Sequence, residues 1–289
     1  MSVRVFYSPR QSAAANLSFS PSAQKPALVV AAWQQAGIPV EIVCPRPATH
    51  TDLHRAHDPA YVREVLTGRA RNGFGNTDAA VNQTLIWTNG SMISAAEWAV
   101  EHGESVLSPT SGFHHAGWSY GAAFCTFNGL MVAALALHAR RLVRRVTILD
   151  LDQHFGDGTR DILQHHGIDW VRHHTYGAAP VPREQVSGWL ASLPDLVRDL
   201  VSGSDLVLYQ ASADTHMDDP LGGTMSTEQL LERDRVVFRE CAGAGVPVVA
   251  NLAGGYQKPV EKVISLHVGT LRALWESRGG KSLSMDRSG

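Results

Sequence analysis

Short apolar runs rich in β-branched residues recur along the chain, and stretches with helical character separate them. Such runs predict strands, here VRVFY at 3–7, VEIV at 40–43, VTILDLD at 146–152, DLVLYQ at 205–210 and VPVVANL at 246–252, with a shorter strand at 106–107. Helices are predicted at 22–36, 59–67, 78–102, 128–142, 182–201, 226–243 and 259–276. Strands that alternate with helices of this length indicate a mostly parallel sheet with helices on both faces. The sequence therefore predicts an α/β fold.

Length and composition favour one globular domain. The 289 residues are 44% hydrophobic and 18% charged, and no repeat or Pro/Ser-rich linker divides them. We predict one domain over residues 1–276 and a flexible C-terminal tail over 277–289.

Charge and hydropathy restrict the partners and the compartment. The net charge is −2, with no long run of either sign, which argues against a nucleic-acid partner or a membrane surface. No apolar run approaches ~18 residues and no export signal is visible, so no membrane span is expected. Three scattered cysteines, none in a CxxC motif, are typical of buried thiols in a reducing compartment. These features predict a cytoplasmic protein.

Chemically active side chains follow several of the predicted strands. In open α/β sheets, ligands bind outside the carboxyl ends of the strands. The segment DLDQHFGDGT at 150–159 leaves one strand with Asp152 and His154, and Asp214 follows the next. The His114-His115 pair follows the short strand at 106–107, and a Gly-Gly turn places Tyr256 after the strand at 246–252. These side chains are therefore expected to meet at one edge of the sheet.

Each of these features taken alone has a simpler interpretation. Asp157 or Asp219 is about as consistent with a helix N-cap as with a site. A His-His pair is usually a feature of a loop, and His165-His166 is interpreted in that way, near a helix end. The combination is more specific, because three N/O ligands with an open position suit a catalytic divalent metal. A histidine pair suits proton transfer, and a tyrosine hydroxyl suits an oxyanion.

Several motifs resemble those of a known family when taken in order. They are HHAG at 114–117, FCTFN at 124–128, DLDQHFGDGT at 150–159, Ala213-Asp214, DPLG at 219–222 and GGY at 254–256. Together they resemble the histone deacetylase and acetylpolyamine amidohydrolase family. AHDPAYVREVL at 56–66 and GFGN at 73–76 are more loosely similar to its bacterial members. The resemblance implies a single-domain arginase/deacetylase-type α/β fold.

The resemblance also implies a role for each matching residue. It implies zinc ligands at Asp152, His154 and Asp214, catalytic histidines at His114 and His115 held by Asp150 and Asp157, and a catalytic tyrosine at Tyr256. It further implies a substrate contact at Phe124, and Phe74, Leu221 and Gly254 are further candidate substrate contacts. We expect one Zn²⁺ per chain and a structural K⁺ as a second candidate ion.

The activity implied is the hydrolysis of an N-acyl amide, such as an acyl-lysine or an acetylpolyamine, by a metal-activated water. Two other readings are weighed against it. A ureohydrolase of the same fold would need further Asp or His ligands for a second manganese ion, and the His-His pair and GGY speak against it. A catalytically silent metal-binding module would be expected to have lost Tyr256 or His115, and both are present.

The chain departs from the family pattern at three points. Phe155 replaces a second histidine that does not bind the metal. Arg172 stands where a serine helps to bind K⁺, so its guanidinium either fills that ion site or points to solvent. The glycine-rich loop that in the family follows this position, here Gly177, and walls the tunnel for the acyl-lysine substrate is almost absent. The tunnel is then either open on that side or closed by a second copy of the chain. The GFGN loop, through Phe74, is a further candidate for that wall.

Overall fold

The computed structural model describes residues 2–13 and 18–280. The predicted tail therefore lies partly outside the described residues, which end at residue 280; the last helix reaches Ser277. Within the described part, no helix combines the length and the apolar character needed to cross a bilayer.

Seven parallel strands form the central sheet, which confirms the predicted parallel arrangement; six of them were predicted from the alternating pattern, and β5 was not. They are β1 (Val3–Phe6), β2 (Val40–Val43), β3 (Val106–Leu107), β4 (Val146–Asp150), β5 (Val171–Thr175), β6 (Leu206–Ser212) and β7 (Val248–Ala253). Their order in the sheet is β2-β1-β3-β7-β6-β4-β5. The strands whose carboxyl ends carry the candidate residues, β3, β7, β6 and β4, are thus consecutive neighbours, which places those residues at one edge.

Nine helices connect the strands in the described residues. They are α1 (Lys25–Gln35), α2 (His50–His54), α3 (Pro59–Leu66), α4 (Ala79–His102), α5 (Gly129–Ala139), α6 (Asp157–His166), α7 (Val186–Val201), α8 (Thr227–Gly243) and α9 (Glu261–Ser277). Seven correspond to predicted helices, with ends shifted by a few residues. The helices α2 and α6 were not predicted.

Apolar side chains on the two faces of the sheet form two separate cores. Val207 and Tyr209 pack with α1, α7, α8 and α9, whereas Leu206 and Leu208 pack with α2 to α6. Successive side chains of a strand point to opposite faces, so a fully apolar strand such as β6 requires helices on both. This burial fixes β6 in the middle of the sheet and holds the residues that follow it. Of the cysteines, Cys125 and Cys241 are buried as expected, but Cys44 is exposed.

Candidate active site

Asp152, His154 and Asp214 converge just beyond the carboxyl ends of β4 and β6. One ligand atom from each lies within 4.8 Å of the other two. His154 Nδ1 is 3.2 Å from Asp152 Oδ1 and 3.0 Å from Asp214 Oδ2. Both carboxylates are almost fully buried. Two buried carboxylates that face one imidazole are a costly arrangement unless a cation is shared between them, so the donor set fits a divalent metal.

The Ser212 hydroxyl lies within hydrogen-bonding distance of both carboxylates. Its hydroxyl lies 2.7 Å from Asp152 Oδ2 and 2.6 Å from Asp214 Oδ1. Backbone N–H groups add to this, because His154 N–H donates to Asp152 Oδ1 and Gln153 N–H donates to Asp214 Oδ1. The oxygens left facing His154 are therefore oriented before any ion binds, as the supporting shell of a metal site requires.

The protonation states reflect this crowding of charge. Hydrogen bonds to Asp152 and Asp214 raise the pKa of His154 to about 10. Burial raises the pKa of Asp214 to about 6, with a further contribution from the neighbouring Asp152 carboxylate. The pKa of Asp152 is lowered, because burial is outweighed by His114 and by hydrogen bonds from His154 and Ser212. A metal ion held by these residues would require His154 in its neutral form.

The histidine pair lies beside this triad, and each ring is held by one carboxylate. His114 Nδ1 is 2.7 Å from Asp150 Oδ2, and both residues are buried. His115 Nδ1 is 2.6 Å from Asp157 Oδ1, a carboxylate that is half exposed. Burial opposes protonation of His114, yet Asp150 and Asp152 outweigh it and raise its pKa to about 9. Burial and the neighbouring His114 lower the pKa of His115. The two rings thus differ in charge preference: His114 favours the protonated form and His115 the neutral form.

Gln210 links the two halves of the site and was missed in the sequence. Its Nε2 donates to Asp150 Oδ1, 2.9 Å away, and its Oε1 accepts the Phe113 N–H at 3.0 Å. The segment that carries the histidine pair is therefore tied to the same buried carboxylate that orients His114. The signal in the sequence was the appearance of Gln210 and Ser212 inside the otherwise apolar run of β6.

Tyr256 is presented by the turn that follows β7. Gly254 has φ +55°, and a Cβ there would lie 2.4 Å from Ser212 Oγ and 2.6 Å from Asp214 Cγ, so only glycine fits. The Tyr256 N–H donates to Asp219 Oδ2 at 2.8 Å. Burial, with Asp152 and Asp214 nearby, raises the pKa of the phenol, which therefore remains a hydrogen-bond donor.

Lys25, at the start of α1, holds the same turn and was also missed. Its side chain has no exposed surface, and its ammonium donates to the carbonyl of Gly254. Burial lowers its pKa to about 8, while Asp214, Asp152 and Asp219 counteract that effect. The turn is thus tied at Gly254 by a cation and at Tyr256 by a carboxylate. Nothing in the local sequence links residue 25 to residue 254.

These side chains surround a cavity that is open to solvent. Its lining includes Phe124, Leu221 and Gly254, three of the four predicted substrate contacts, together with the metal triad, both histidines and Tyr256. Phe124 has φ +68°, a strained conformation for a side chain of this size, and its N–H donates to the Gly73 carbonyl at 2.9 Å.

Phe74 does not line this cavity. Its ring lies 5.6 Å from that of Phe124 and borders a neighbouring cavity. Phe74 in the GFGN loop therefore packs against Phe124 and not against the cavity. The expectation that Phe74 forms part of the missing wall is corrected.

Arg172 does not lie beside Asp150. The register of β4 and β5 pairs it with Thr147, and its exposed guanidinium donates to the carbonyls of Asp199 and Leu200 at the end of α7. His173, on the opposite face of β5, borders Asp150 instead. A Cβ added at Gly156 would lie 2.6 Å from Asp150 Oδ2 and 3.1 Å from His173 Nε2. The hypothesis that Arg172 replaces a monovalent ion is therefore corrected.

The remaining predicted features are placed as follows. The guanidinium of Arg160 lies over the ring of Phe155, with Cζ 4.7 Å from the ring centroid. Phe155 is not among the residues that line the cavity. His165 and His166 form the last turn of α6, which agrees with their interpretation as residues near a helix end.

Comparison with known proteins agrees with the architecture. A family model described as the histone deacetylase domain matches residues 21–187, more than half of the chain. An uncharacterized protein of Picosynechococcus is 32% identical over 250 residues, which cover 79% of this chain and 83% of that protein. Histone deacetylase 2 of Arabidopsis thaliana is 30% identical over 196 residues, or 61% of this chain, which spans half of that protein's length.

A solved structure extends the likeness to the whole fold. The acetylpolyamine aminohydrolase from Burkholderia pseudomallei superposes with a TM-score of 0.74 at 18% identity, covering 95% of this chain and 99% of that one. At this identity the likeness concerns the fold alone, and it matches the parallel seven-stranded sheet with its covering helices. From the family match and the shared architecture, we conclude that this chain belongs to the histone deacetylase domain family.

Proposed function

We propose that the protein is a zinc-dependent deacylase that hydrolyses an N-acyl amide, with a catalytic domain over residues 1–276. The observation that carries the proposal is that the three candidate ligands, the two carboxylate-held histidines and Tyr256 all face one cavity. Membership of a deacetylase family and the named relatives support the same reaction class.

Asp152, His154 and Asp214 would hold the metal. Zinc in such a site polarises the amide carbonyl and lowers the pKa of water at the reaction centre toward ~7. The chain's own contribution is to orient the ligand oxygens through Ser212 and to keep both carboxylates out of bulk water.

The histidine pair would transfer the proton and stabilise the developing negative charge. His115, with its Nδ1 held by Asp157, takes one proton from the attacking water and later delivers it to the leaving amine. The water oxygen forms the new bond to the acyl carbon, and the C–N bond breaks to give an amine and a carboxylic acid, which then loses the second water proton to solvent and becomes a carboxylate. His114, bonded to the buried Asp150, would stabilise negative charge that develops next to it.

Tyr256 would stabilise the tetrahedral oxyanion. Tyr256 lines the cavity, and no group in the described residues forms a hydrogen bond to its hydroxyl. A donor that is positioned but unused in the ground state is the arrangement that favours the transition state over the substrate.

The ureohydrolase alternative has less support from the site. The described residues contain a single group of three metal-ligating side chains. The carboxylate of Asp150, which could otherwise serve a second ion, is already engaged by His114, by Gln210 and by the Asp152 N–H.

The test is a substrate screen with zinc-loaded protein. Acyl-lysine peptides and acylpolyamines of varied acyl length would be incubated with the protein, and release of the acyl group would be followed by mass spectrometry. We expect cleavage by the wild type and none by Asp214→Ala. Absence of cleavage across the panel, together with urea release from guanidino compounds, would favour the ureohydrolase instead.

A further inference from the structure

Phe19 is the most exposed large apolar side chain in the described residues. It is 65% exposed, whereas the next two, Leu142 and Leu221, are each 41% exposed. Single exposed apolar residues are common and need no explanation. Phe19 differs from them because the rings it contacts belong to the cavity of the candidate active site.

Three rings form what we call the aromatic rim, namely Phe19, Phe124 and Tyr256. The Phe19 and Phe124 centroids are 5.3 Å apart with the rings perpendicular, and Phe19 and Tyr256 are 6.2 Å apart. Phe124 and Tyr256 are 5.6 Å apart. These are the edge-to-face and tilted geometries that aromatic rings favour. Phe19 thus adds an outer member to the two rings that line the cavity.

The position of Phe19 is fixed by the residue that follows it. Ser20 is buried and caps a short 3-10 helix, Pro21–Ala23, by accepting the Ser22 N–H. Ser22 itself lines the cavity, and Ala23 accepts the Ala13 N–H across the segment. The backbone next to Phe19 is therefore anchored to the same site whose rim the ring extends.

The connection from β5 to α7, which runs through Gly177 and Pro182, contributes no residue to the cavity lining. Among the described residues that line the cavity, Leu221 is the exposed large apolar side chain. An apolar substrate segment entering the cavity would consequently meet Phe19, Phe124 and Leu221 before it reached the polar centre.

We propose that Phe19 is a specificity-determining residue, whose exposed face packs against the linear methylene stem that carries the amide nitrogen. The substrate class is then an acylated primary amine with an extended alkyl stem, a chemistry that acyl-lysine and acylpolyamines share. The wall that the shortened loop leaves open is supplied in part by this residue of the same chain. This inference rests on the proposed function, because it assumes that the amide lies at the metal triad.

The binding test uses two hydroxamates, which chelate the metal without being hydrolysed. Octanohydroxamate carries a methylene stem, and acetohydroxamate does not. For zinc-loaded Phe19→Ala, we expect calorimetry to show about tenfold weaker binding of octanohydroxamate, the effect of losing part of one apolar contact. Binding of acetohydroxamate should stay within about twofold of wild type.

Two variants serve as controls. Phe19→Trp keeps an aromatic face and should retain most of the affinity for octanohydroxamate. Leu28→Ala removes an exposed apolar side chain from α1, outside the aromatic rim, and should change neither affinity. Unchanged octanohydroxamate binding in Phe19→Ala would overturn the role of Phe19 alone. Failure of the wild type to bind either compound would overturn the proposed function and this inference with it.

Turnover gives a second readout. With an acetyl-lysine peptide and with an acetylated diamine, Phe19→Ala should raise KM while kcat stays within about twofold. A rise for one substrate only would identify which amine the stem belongs to. An unchanged KM for both substrates would contradict the proposal.

Discussion

Removing the Tyr256 hydroxyl separates chemistry from folding more cleanly than any other single change in the site. The hydroxyl has no hydrogen-bond partner among the described residues, so Tyr256→Phe leaves no buried donor or acceptor unsatisfied. The ring keeps its contacts with Phe124 and Phe19, and the backbone N–H of residue 256 keeps its bond to Asp219. The free energy of unfolding should therefore change by no more than about 0.5 kcal/mol.

The effect on the reaction should be much larger. Loss of one oxyanion donor costs ~2.7–4 kcal/mol of barrier, which corresponds to a fall in kcat of about 10²–10³-fold. KM should change little, because the donor acts on charge that is present only in the transition state. The assay is steady-state hydrolysis of an acyl-lysine peptide by zinc-loaded protein, with metal content and thermal unfolding measured on the same samples.

Tyr61→Phe is the matched control. The Tyr61 hydroxyl donates to the Thr126 carbonyl at 2.8 Å, away from the reacting centre. Its loss should lower stability by about 1 kcal/mol and leave kcat nearly unchanged. A Tyr256→Phe enzyme with wild-type kcat would refute the oxyanion assignment, and equal losses of kcat in both variants would show that the effect is structural.

Three further changes test other parts of the site. His115→Ala should lower kcat by ~10²–10⁴-fold with zinc still bound, since the ring accepts a proton but is not a ligand; near-normal turnover would exclude it as the base. Lys25→Met should destabilise the protein by ~1–3 kcal/mol, because the Gly254 carbonyl loses its donor, and should lower kcat by displacing Tyr256. Partial rescue by Lys25→Arg, seen in thermal unfolding and in kcat, is expected, and wild-type behaviour of the methionine variant would count against that role. Arg172→Ser should cost less than about 1 kcal/mol in denaturant unfolding and should not alter any difference between potassium and sodium buffers, whereas a new dependence on potassium would place the guanidinium near the site after all.

The succession of strands and helices along the chain was predictable because the burial of apolar side chains determines it. Fully apolar runs such as β6 require covering helices on both faces, and the parallel arrangement brings the carboxyl ends of the strands together. Helix α6 was not predicted, although its first turn was identified as part of a site. Asp157 is the first residue of this helix and holds His115, whereas the N-cap is Gly156, so the N-cap interpretation of Asp157 is wrong.

The candidate residues in motifs were found because each lies a few positions after a strand. Their supporting contacts were not, because these depend on tertiary packing. Lys25 and Gly254 are 229 residues apart, and Phe19 meets Tyr256 only after the sheet is assembled.

Arg172 shows how strand register limits such a prediction. Neighbouring residues of a strand face opposite ways, so placing this position beside Asp150 required a face that His173 occupies. A resemblance fixes which segment forms the strand, but it does not fix the direction of each side chain.

The most direct test of the account is a zinc titration of the metal-stripped protein, followed by acetate release from an acetyl-lysine peptide. The account predicts that activity rises from zero and saturates at one equivalent of zinc per chain. It also predicts that the doubly substituted Asp152→Ala/Asp214→Ala protein neither binds zinc stoichiometrically nor releases acetate. Saturation at two equivalents, or full activity in the metal-stripped protein, would contradict it.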